Sequence, residues 1–368
     1  MEKSKIGFVG CGAISGIYLK NITELFKELE IAGVCDLIPE RAKKAAEEYN
    51  IPKVYGDMHE LFADADVDIV LNITRPYEHF DVTMEAIKAG KNVYAEKPLG
   101  ASLDEGILLV QAAKEKGVFI GGAPDTFLGA GIQTCRKLID DGYIGDIVGA
   151  SAFMVGRGHE SWHPDPEFYY KYGGGPMFDM GPYYLTTLVN LIGRVTSVSG
   201  MAKASFKERT ITSEPKNGTI IKVEVPTYIT GQMQFESGAI GTIFTTFDAY
   251  AAQVPRIEIY GSEGTLSVPD PNTFGGPVRL YRPEKREFLE IPLTFDYPEN
   301  SRGLGLADMA KALKTGREFR ADSHLTFHVL EIMSGIIESA AAKKYIKINS
   351  GPERPKPMVK YSIKGILD

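Results

Sequence analysis

One hexapeptide near the start of the chain restricts the fold more than any other feature. The apolar run "KIGFVG" leads straight into Gly10-Cys11-Gly12-Ala13-Ile14-Ser15, and a stretch of helical period follows. A buried strand, a G-x-G-x-x-S turn and a helix, in that order, make a phosphate-binding turn for a dinucleotide. Gly10 permits the tight turn. Gly12 lets the backbone approach a pyrophosphate, whose charge is stabilised by the free N–H groups where the helix opens at Ala13 and Ile14. Ser15 stands where a third glycine is usual and is still small. An acid at the right distance completes the pattern: Asp36 ends "IAGVCD", 24 residues beyond Gly12. A carboxylate there can bind the adenosine ribose hydroxyls and repel a 2′-phosphate, which favours NAD over NADP, although Arg41 and Lys43 lie close by.

The rest of the first third repeats the rhythm. "IAGVCD", "DIVLNIT", "KNVYAE" and "VFIGG" read as buried strands, separated by amphipathic segments such as "PERAKKAAEEYN" and "SLDEGILLVQAAKEKG". The expected architecture is α/β: a Rossmann domain over residues 1–123 with a doubly wound parallel sheet. Beyond it, "IVGASAFMVGRG", "GTIIKVEVPTYITGQMQF", "GAIGTIFTTFDAY", "VPRIEIYGSEGTLSV" and "PVRLYRP" alternate with period two, with turns at Ser237-Gly238 and Glu263-Gly264. Residues 124–368 are therefore expected to form an α+β substrate-binding and oligomerisation domain with a large, open, mostly antiparallel sheet.

A length of 368 residues suits two cores, and 43% hydrophobic with 24% charged residues is the balance of a packed globular protein. The net charge of -7 comes with no long basic run, so neither nucleic acid nor anionic lipid is an expected partner. Cys11, Cys35 and Cys135 are widely spaced and form no C-x-x-C, which suits a reducing compartment. The N-terminus enters a strand at once and no apolar run reads as a membrane span, so the expected location is the cytoplasm.

At "DIVLNITRPYEHFDVTMEAIKAGKNVYAEKPLG" the chain resembles the glucose-fructose oxidoreductase / inositol dehydrogenase / MocA family, whose pattern is an N-x-T-P-x-x-x-H-like segment followed by A-G-K-x-V-x-x-E-K-P. Asn72, Thr74, His79, Glu96, Lys97 and Pro98 fall on those positions, and Arg75 before Pro76 departs from them. The resemblance extends through weaker motifs to about residue 345. It implies that Asn72, Thr74, His79, Glu96 and Lys97 belong to the cofactor site, with Lys97 beside the nicotinamide and hydrogen-bonded to the substrate hydroxyl. It also implies that one face of the second sheet packs against another subunit. Independently, a lysine just after a buried strand carries a charge that is costly to desolvate, and a nearby nicotinamide cation would lower its pKa further.

In "YYKYGGGPMFDMGPYYLTTLVNLIG" glycines end a loop, Pro176 suits the first helical position, and Asp179 and Tyr183 stand four apart on one helical face. The family pattern G-G-G-x-x-x-D-x-G-x-H has histidine where this chain has Tyr183, as some relatives do. Tyrosine starts near pKa 10, so base work there needs neighbouring positive charge, which Lys97 and the nicotinamide would supply. Tyr184 is the alternative pocket residue.

The stretch His159-Glu160-Ser161-Trp162-His163 spells H-E-x-x-H, a zinc signature when helical. Glycines before it and Pro164 and Pro166 after it oppose a helix, and no third ligand stands out, so no metal is expected. As a loop, His159, Trp162 and His163, with Tyr169 and Tyr170, would line the substrate pocket with polar bonds and an aromatic platform. Asp125, with Thr126, follows the last parallel strand, at the edge where such sheets bind ligands. Arg302, His324 and His328 are lesser candidates.

Together these features point to an NAD-dependent oxidoreductase that moves a hydride between a secondary alcohol of a sugar, glycoside or cyclitol and nicotinamide. Lys97, Tyr183 and Asp179 are the expected catalytic residues, and Lys97, Asp125, His159, Trp162, His163, Asp179 and Tyr183 the expected substrate contacts. Two rival readings are a hydrolase or lyase working through transient oxidation at sugar C3, and a non-catalytic sensor of NAD or sugar. Net NADH production separates the first, and the presence of Lys97 opposes the second.

Overall fold

The computed structural model describes residues 3–360 and 364–368. In the first domain β1 (Ser4–Val9), α1 (Ser15–Glu24), β2 (Leu29–Cys35), α2 (Pro39–Tyr49), α3 (Met58–Ala63), β3 (Ile69–Asn72), α4 (His79–Lys88), β4 (Asn92–Ala95), α5 (Leu103–Lys116) and β5 (Ile120–Gly122) follow in order. The five strands are all parallel, in the order β2-β1-β3-β4-β5. Helices on both faces explain why β1, β3 and β4 are continuous apolar runs rather than alternating ones. The order reverses between β1 and β3, so the loops after those strands part and leave a crevice at their carboxyl ends.

A short 3-10 turn (Thr126–Leu128) leads into α6 (Ala130–Asp140), β6 (Ile147–Val155) and the long helix α7 (Gly175–Ile192). The strands β7 (Val195–Lys203), β8 (Glu208–Thr210), β9 (Ile220–Lys222), β10 (Tyr228–Phe235), β11 (Ile240–Thr246), β12 (Ile257–Gly261), β13 (Thr265–Val268), β14 (Val278–Tyr281) and β15 (Phe288–Ile291) come next. Then follow α8 (Leu304–Thr315), α9 (Ser323–Ala342) and β16 (Ile346–Lys347). Nine strands form one sheet, β15-β14-β13-β12-β6-β11-β10-β7-β16, antiparallel except for the β6–β11 pair. The run expected as one strand across "GTIIKVEVPTYITGQMQF" breaks at Val225–Pro226, where proline removes a ladder donor. Its first part, β9, instead pairs with β8 as a separate hairpin.

α7 covers the inner face of this sheet, packing on β6, β10 and β11, and every residue from Gly181 to Ile192 is buried. The outer face stays open. Register places Met201, Thr230, Phe244 and Phe153 side by side on it, with Tyr228 and Ile240 on the same side of their strands.

The chain crosses back between the domains late. Gly122 N–H donates to the Ala321 carbonyl (3.0 Å), and α8 and α9 pack on β5, so the edge of the parallel sheet is finished by residues far beyond 123. By length and composition alone α9 is long and apolar enough to cross a membrane, with a mean hydropathy of 1.2 over an 18-residue window, a test that a buried core helix also passes. It packs against β7, α7 and α5 as a core helix between the two sheets.

Candidate functional site

The glycine turn sits at the carboxyl end of β1. Gly10 has φ +97°, a region that side chains rarely adopt, and a Cβ there would lie 2.9 Å from the Ile73 carbonyl oxygen. A Cβ on Gly12 would meet no protein atom within 4 Å, and Gly12, Ala13 and Ile14 are exposed. α1 opens without a side-chain cap, and its first N–H, that of Ser15, closes on the Gly12 carbonyl (3.2 Å). Ser15, in place of the third glycine, turns its hydroxyl back to the Gly12 carbonyl (2.7 Å) and braces the turn. Asp36 accepts from Cys11 N–H (2.6 Å) and Ile38 N–H (2.7 Å), which fixes the carboxylate at the strand end; its remaining lone pairs are available to ribose hydroxyls. Burial and the Asp36 charge push the Cys11 thiol up to about 12, so it is no nucleophile. These residues fit a dinucleotide: a constrained Gly10, open space above Gly12, an uncapped helix start and a held carboxylate.

Three of the expected cofactor residues work behind that surface. Asn72 is fully buried, accepts from Thr74 N–H and Oγ1–H (3.2 and 2.7 Å), and donates to Thr83 Oγ1 and the His79 carbonyl. His79, also buried, lies between the Pro98 and Thr74 carbonyl oxygens (2.9 and 3.0 Å) and ties the Lys97 turn to the Thr74 loop. Glu96 accepts from the Tyr18 hydroxyl (2.7 Å) and from Lys97 N–H (3.1 Å). Asn72, His79 and Glu96 thus shape the site from beneath, and Thr74, half-buried, is the one that borders open space.

Lys97 follows β4 at the carboxyl edge of the parallel sheet, and α7 brings Asp179 to it. Lys97 Nζ donates to the Asp179 carbonyl (2.7 Å) and to Asp179 Oδ1 (2.8 Å), and stands 5.3 Å from the centre of the Tyr183 ring. Both side chains are nearly buried, at 16% and 10% exposure. Burial opposes the ammonium charge, but Asp179, Tyr183 and Glu96 outweigh it and hold the Lys97 pKa above the ordinary lysine range. The Asp179 carboxylate, a partner that the sequence did not reveal for Lys97, outweighs the burial expected to lower that pKa. Burial likewise opposes the Asp179 charge, and Lys97 and His159 outweigh it, so that carboxyl lies well below its usual range.

Tyr183, not the fully buried Tyr184, is the tyrosine beside Lys97. Its phenol is pushed up by burial and by Glu96, against the opposing charges of Lys97 and Arg302. Arg302, a lesser candidate in the sequence, is held by Asn272 Oδ1 (2.6 Å) and Asn300 Oδ1 (2.9 Å).

The H-E-x-x-H stretch is a loop with one tight turn, closed by His163 N–H on the His159 carbonyl (3.0 Å). Its glutamate is a structural anchor: Glu160 pairs with Arg209 Nη1 (2.9 Å) and accepts from the Tyr170 hydroxyl. Arg209 also bonds Asp248 (2.8 Å), so the β8–β9 hairpin clamps this loop. Sequence reasoning missed Arg209 entirely; an arginine within an otherwise ordinary short strand was its only signal. The loop brings His159 Nε2 to 3.3 Å from Asp179 Oδ2 and stacks its ring on Tyr169 at 3.7 Å. His163 accepts from Asp165 N–H (3.0 Å), and burial, then the His159 charge, lower its pKa. Trp162 is 62% exposed, at the rim rather than inside the pocket. Arg75, the departure from the family pattern, reaches across to Asp165 (2.9 Å), which also holds Lys216. Among the described residues no three His, Cys, Asp or Glu side chains are arranged to hold a metal.

Asp125 is not a substrate contact. It is buried and accepts from Gly303 and Gly305 N–H (2.8 and 3.1 Å), capping the start of α8, with its pKa raised to about 6 by burial. Thr126 is buried beside it. His328 accepts from Val195 N–H within the core, and burial lowers it to about 4; His324 is exposed and bonded to Asp322.

Comparison with known proteins places this geometry. The model for an oxidoreductase family with an NAD-binding Rossmann fold matches residues 4–122, and the model for the GFO/IDH/MocA C-terminal domain matches residues 132–267. A Lactiplantibacillus plantarum inositol 2-dehydrogenase/D-chiro-inositol 3-dehydrogenase is 30% identical over 145 residues, which is 39% of this chain and 41% of that protein. The chain thus spans less than half the length of that relative. Thermotoga maritima myo-inositol 2-dehydrogenase is 23% identical over 71% of this chain and 74% of its own. Among solved structures, an NAD-binding oxidoreductase from Klebsiella pneumoniae shares the fold with a TM-score of 0.82 at 22% identity, covering 95% of this chain and 100% of that one. Levoglucosan dehydrogenase in complex with NADH and L-sorbose does so with a TM-score of 0.81 at 20% identity and the same coverage.

Proposed function

The chain belongs to the GFO/IDH/MocA oxidoreductase family, and from that premise we propose that it is a dehydrogenase for a secondary alcohol of a sugar, glycoside or cyclitol. NAD, held at Gly10 to Ile14 and Asp36, supplies the hydride acceptor when bound. The observation that carries the reading is the Lys97–Asp179 pair at the carboxyl edge of the parallel sheet, beside the cofactor turn. An ammonium has three donors, and Asp179 takes two of those on Lys97. The third is left to orient the alcohol oxygen and to stabilise negative charge that develops on it as the C–H bond breaks. Asp179 keeps Lys97 charged and fixed, and its Oδ2 lies 3.3 Å from His159 Nε2. Tyr183 packs against the ammonium as a neutral phenol, since a group near pKa 10 that is pushed higher is a poor base at neutral pH. The aromatic loop around His159 and Tyr169 gives a polyol ring an apolar wall.

Dinucleotide chemistry and polyol choice are tested together by a screen of monosaccharides, aryl glycosides and inositols with NAD, following absorbance of the reduced nicotinamide. Reduction by at least one secondary polyol is expected, and reduction by none refutes the reading. The open sheet face exposes Met201, Ile240 and Tyr228 among polar residues, and these exposed apolar side chains support a second copy as its cover.

A further inference from the structure

We infer that His159, from the loop after β6, takes the alcohol proton in this site, in the role the family's helix pattern assigns to the position held here by Tyr183. The inference rests on the dehydrogenase reading above.

Position alone singles His159 out. Asp179 has two carboxylate oxygens: Oδ1 holds Lys97 at 2.8 Å, and Oδ2 faces His159 Nε2 at 3.3 Å. The three groups form one row, with the carboxylate between an ammonium that orients the oxygen and an imidazole that can accept its proton. One valence in that row is unfilled. Asp179 Oδ2 is engaged by His159 Nε2, but His159 Nδ1 is buried and has no hydrogen-bond partner. Buried polar atoms are nearly always satisfied, so this orphan beside the reactive lysine marks a place where a substrate supplies the partner.

The imidazole is also held, as a base must be. Its ring stacks on Tyr169 with planes 9° apart and meets the edge of Phe247 at 4.8 Å. One residue on, Glu160 is locked by Arg209 and Tyr170, and its carbonyl accepts from Thr212 and Ser213 N–H. The β8–β9 hairpin thereby fixes the backbone that aims His159. His163 is differently engaged, since its Nδ1 accepts from Asp165 N–H.

The charged and titratable groups that face His159 are Asp179 from α7, Lys97 through Asp179, and Tyr169 and His163 from its own loop; Phe247, beyond β11, is apolar. As the alcohol is oxidised, hydride leaves carbon for NAD, the O–H bond breaks, and its proton forms an N–H bond on His159. The carbonyl product and the imidazolium result, and the Asp179 carboxylate stabilises the imidazolium. The proton then passes to solvent at the cleft rim. The buried phenol of Tyr183, held above its ordinary value, is a poor proton acceptor at neutral pH.

The test compares His159→Gln with Tyr183→Phe, using the polyol that reduces NAD best in the screen. Unmodified enzyme should show kcat/KM for oxidation rising with pH. His159→Gln should lose that limb and fall by about a hundredfold or more, while Tyr183→Phe keeps it. A second readout needs no turnover. Trp162, the chain's single tryptophan, lies 5.3 Å from His159, and a protonated imidazole quenches indole emission. His163 is equally near, so the titration is run in a His163→Gln background, where the remaining transition should match the kinetic limb and vanish with His159→Gln. A pH limb that survives His159→Gln and disappears with Tyr183→Phe overturns the assignment, as does a loss below about tenfold in His159→Gln. Absence of hydride transfer from every polyol in unmodified enzyme instead refutes the dehydrogenase reading, and this assignment with it.

Discussion

Replacing Lys97 by methionine should make stability depend on acid between neutral pH and about pH 5, a window in which this pair gives the native protein no slope. In the native protein the ammonium makes two short bonds to Asp179, whose side chain is only 10% exposed, while His159 stands farther off at 3.3 Å. The Asp179 pKa is lowered in the fold, so its contribution is fully present above the ordinary carboxylate range and is lost only as pH falls through the folded value. Lys97 has a raised pKa, so its contribution is present everywhere below its ordinary value. Neither group therefore gives the native protein a slope across this window. In Lys97→Met the desolvation of Asp179 is unopposed by the lysine, and the folded pKa should rise above its unfolded value. Leaving a buried carboxylate without its partner costs about 3–5 kcal/mol. Protonation offers an escape that costs about 1.4 kcal/mol for each pH unit above the ordinary carboxyl pKa of about 4, or about 4 kcal/mol at pH 7. The two figures agree. The deficit should thus be about 4 kcal/mol at pH 7 and shrink to about 1.5 kcal/mol at pH 5. Denaturant unfolding of the cofactor-free protein, followed by far-ultraviolet circular dichroism at both pH values, measures it. A deficit below about 1 kcal/mol at pH 7, or one that does not shrink on acidification, would refute the reasoning.

Three further outcomes follow from the same geometry. Gly12→Val should fold normally, because its Cβ meets no protein atom, yet lose NAD affinity by about a hundredfold; calorimetric titration with retained affinity would show that no pyrophosphate passes there. Asp36→Asn should narrow the preference for NAD over NADP, read as the ratio of the two Kd values, and should also loosen the glycine turn through the weakened bonds to Cys11 and Ile38. Arg209→Met leaves Glu160 and Asp248 buried without their shared cation, so a loss of about 3–5 kcal/mol is expected in denaturant melts; Arg209→Lys should recover only part, since one ammonium cannot match the planar fork.

Much of this protein is legible in its sequence because the signals are local. The glycine turn, the alternation of buried strand and amphipathic helix, and the period-two runs of the second domain each specify backbone over a few residues and a face to be buried. Lys97 after its strand, and Asp179 with Tyr183 one helical turn apart, were readable for the same reason. The H-E-x-x-H stretch was also decided locally, by the prolines and glycines around it.

Tertiary structure alone decided which of these side chains meet. Asp125 follows a strand at the ligand-binding edge, yet the return of the chain at Gly303 and Gly305 makes it a helix cap. Asn72 and His79 bear motif positions but face inward, because the turns they brace fold over them. His159 reaches Asp179 across twenty residues, and Glu160 finds Arg209 across nearly fifty, through the course of a loop and a hairpin. Periodicity encodes local conformation and which face avoids water. It carries nothing about where a loop between two strands will set one imidazole, since that depends on packing among residues far apart in the chain.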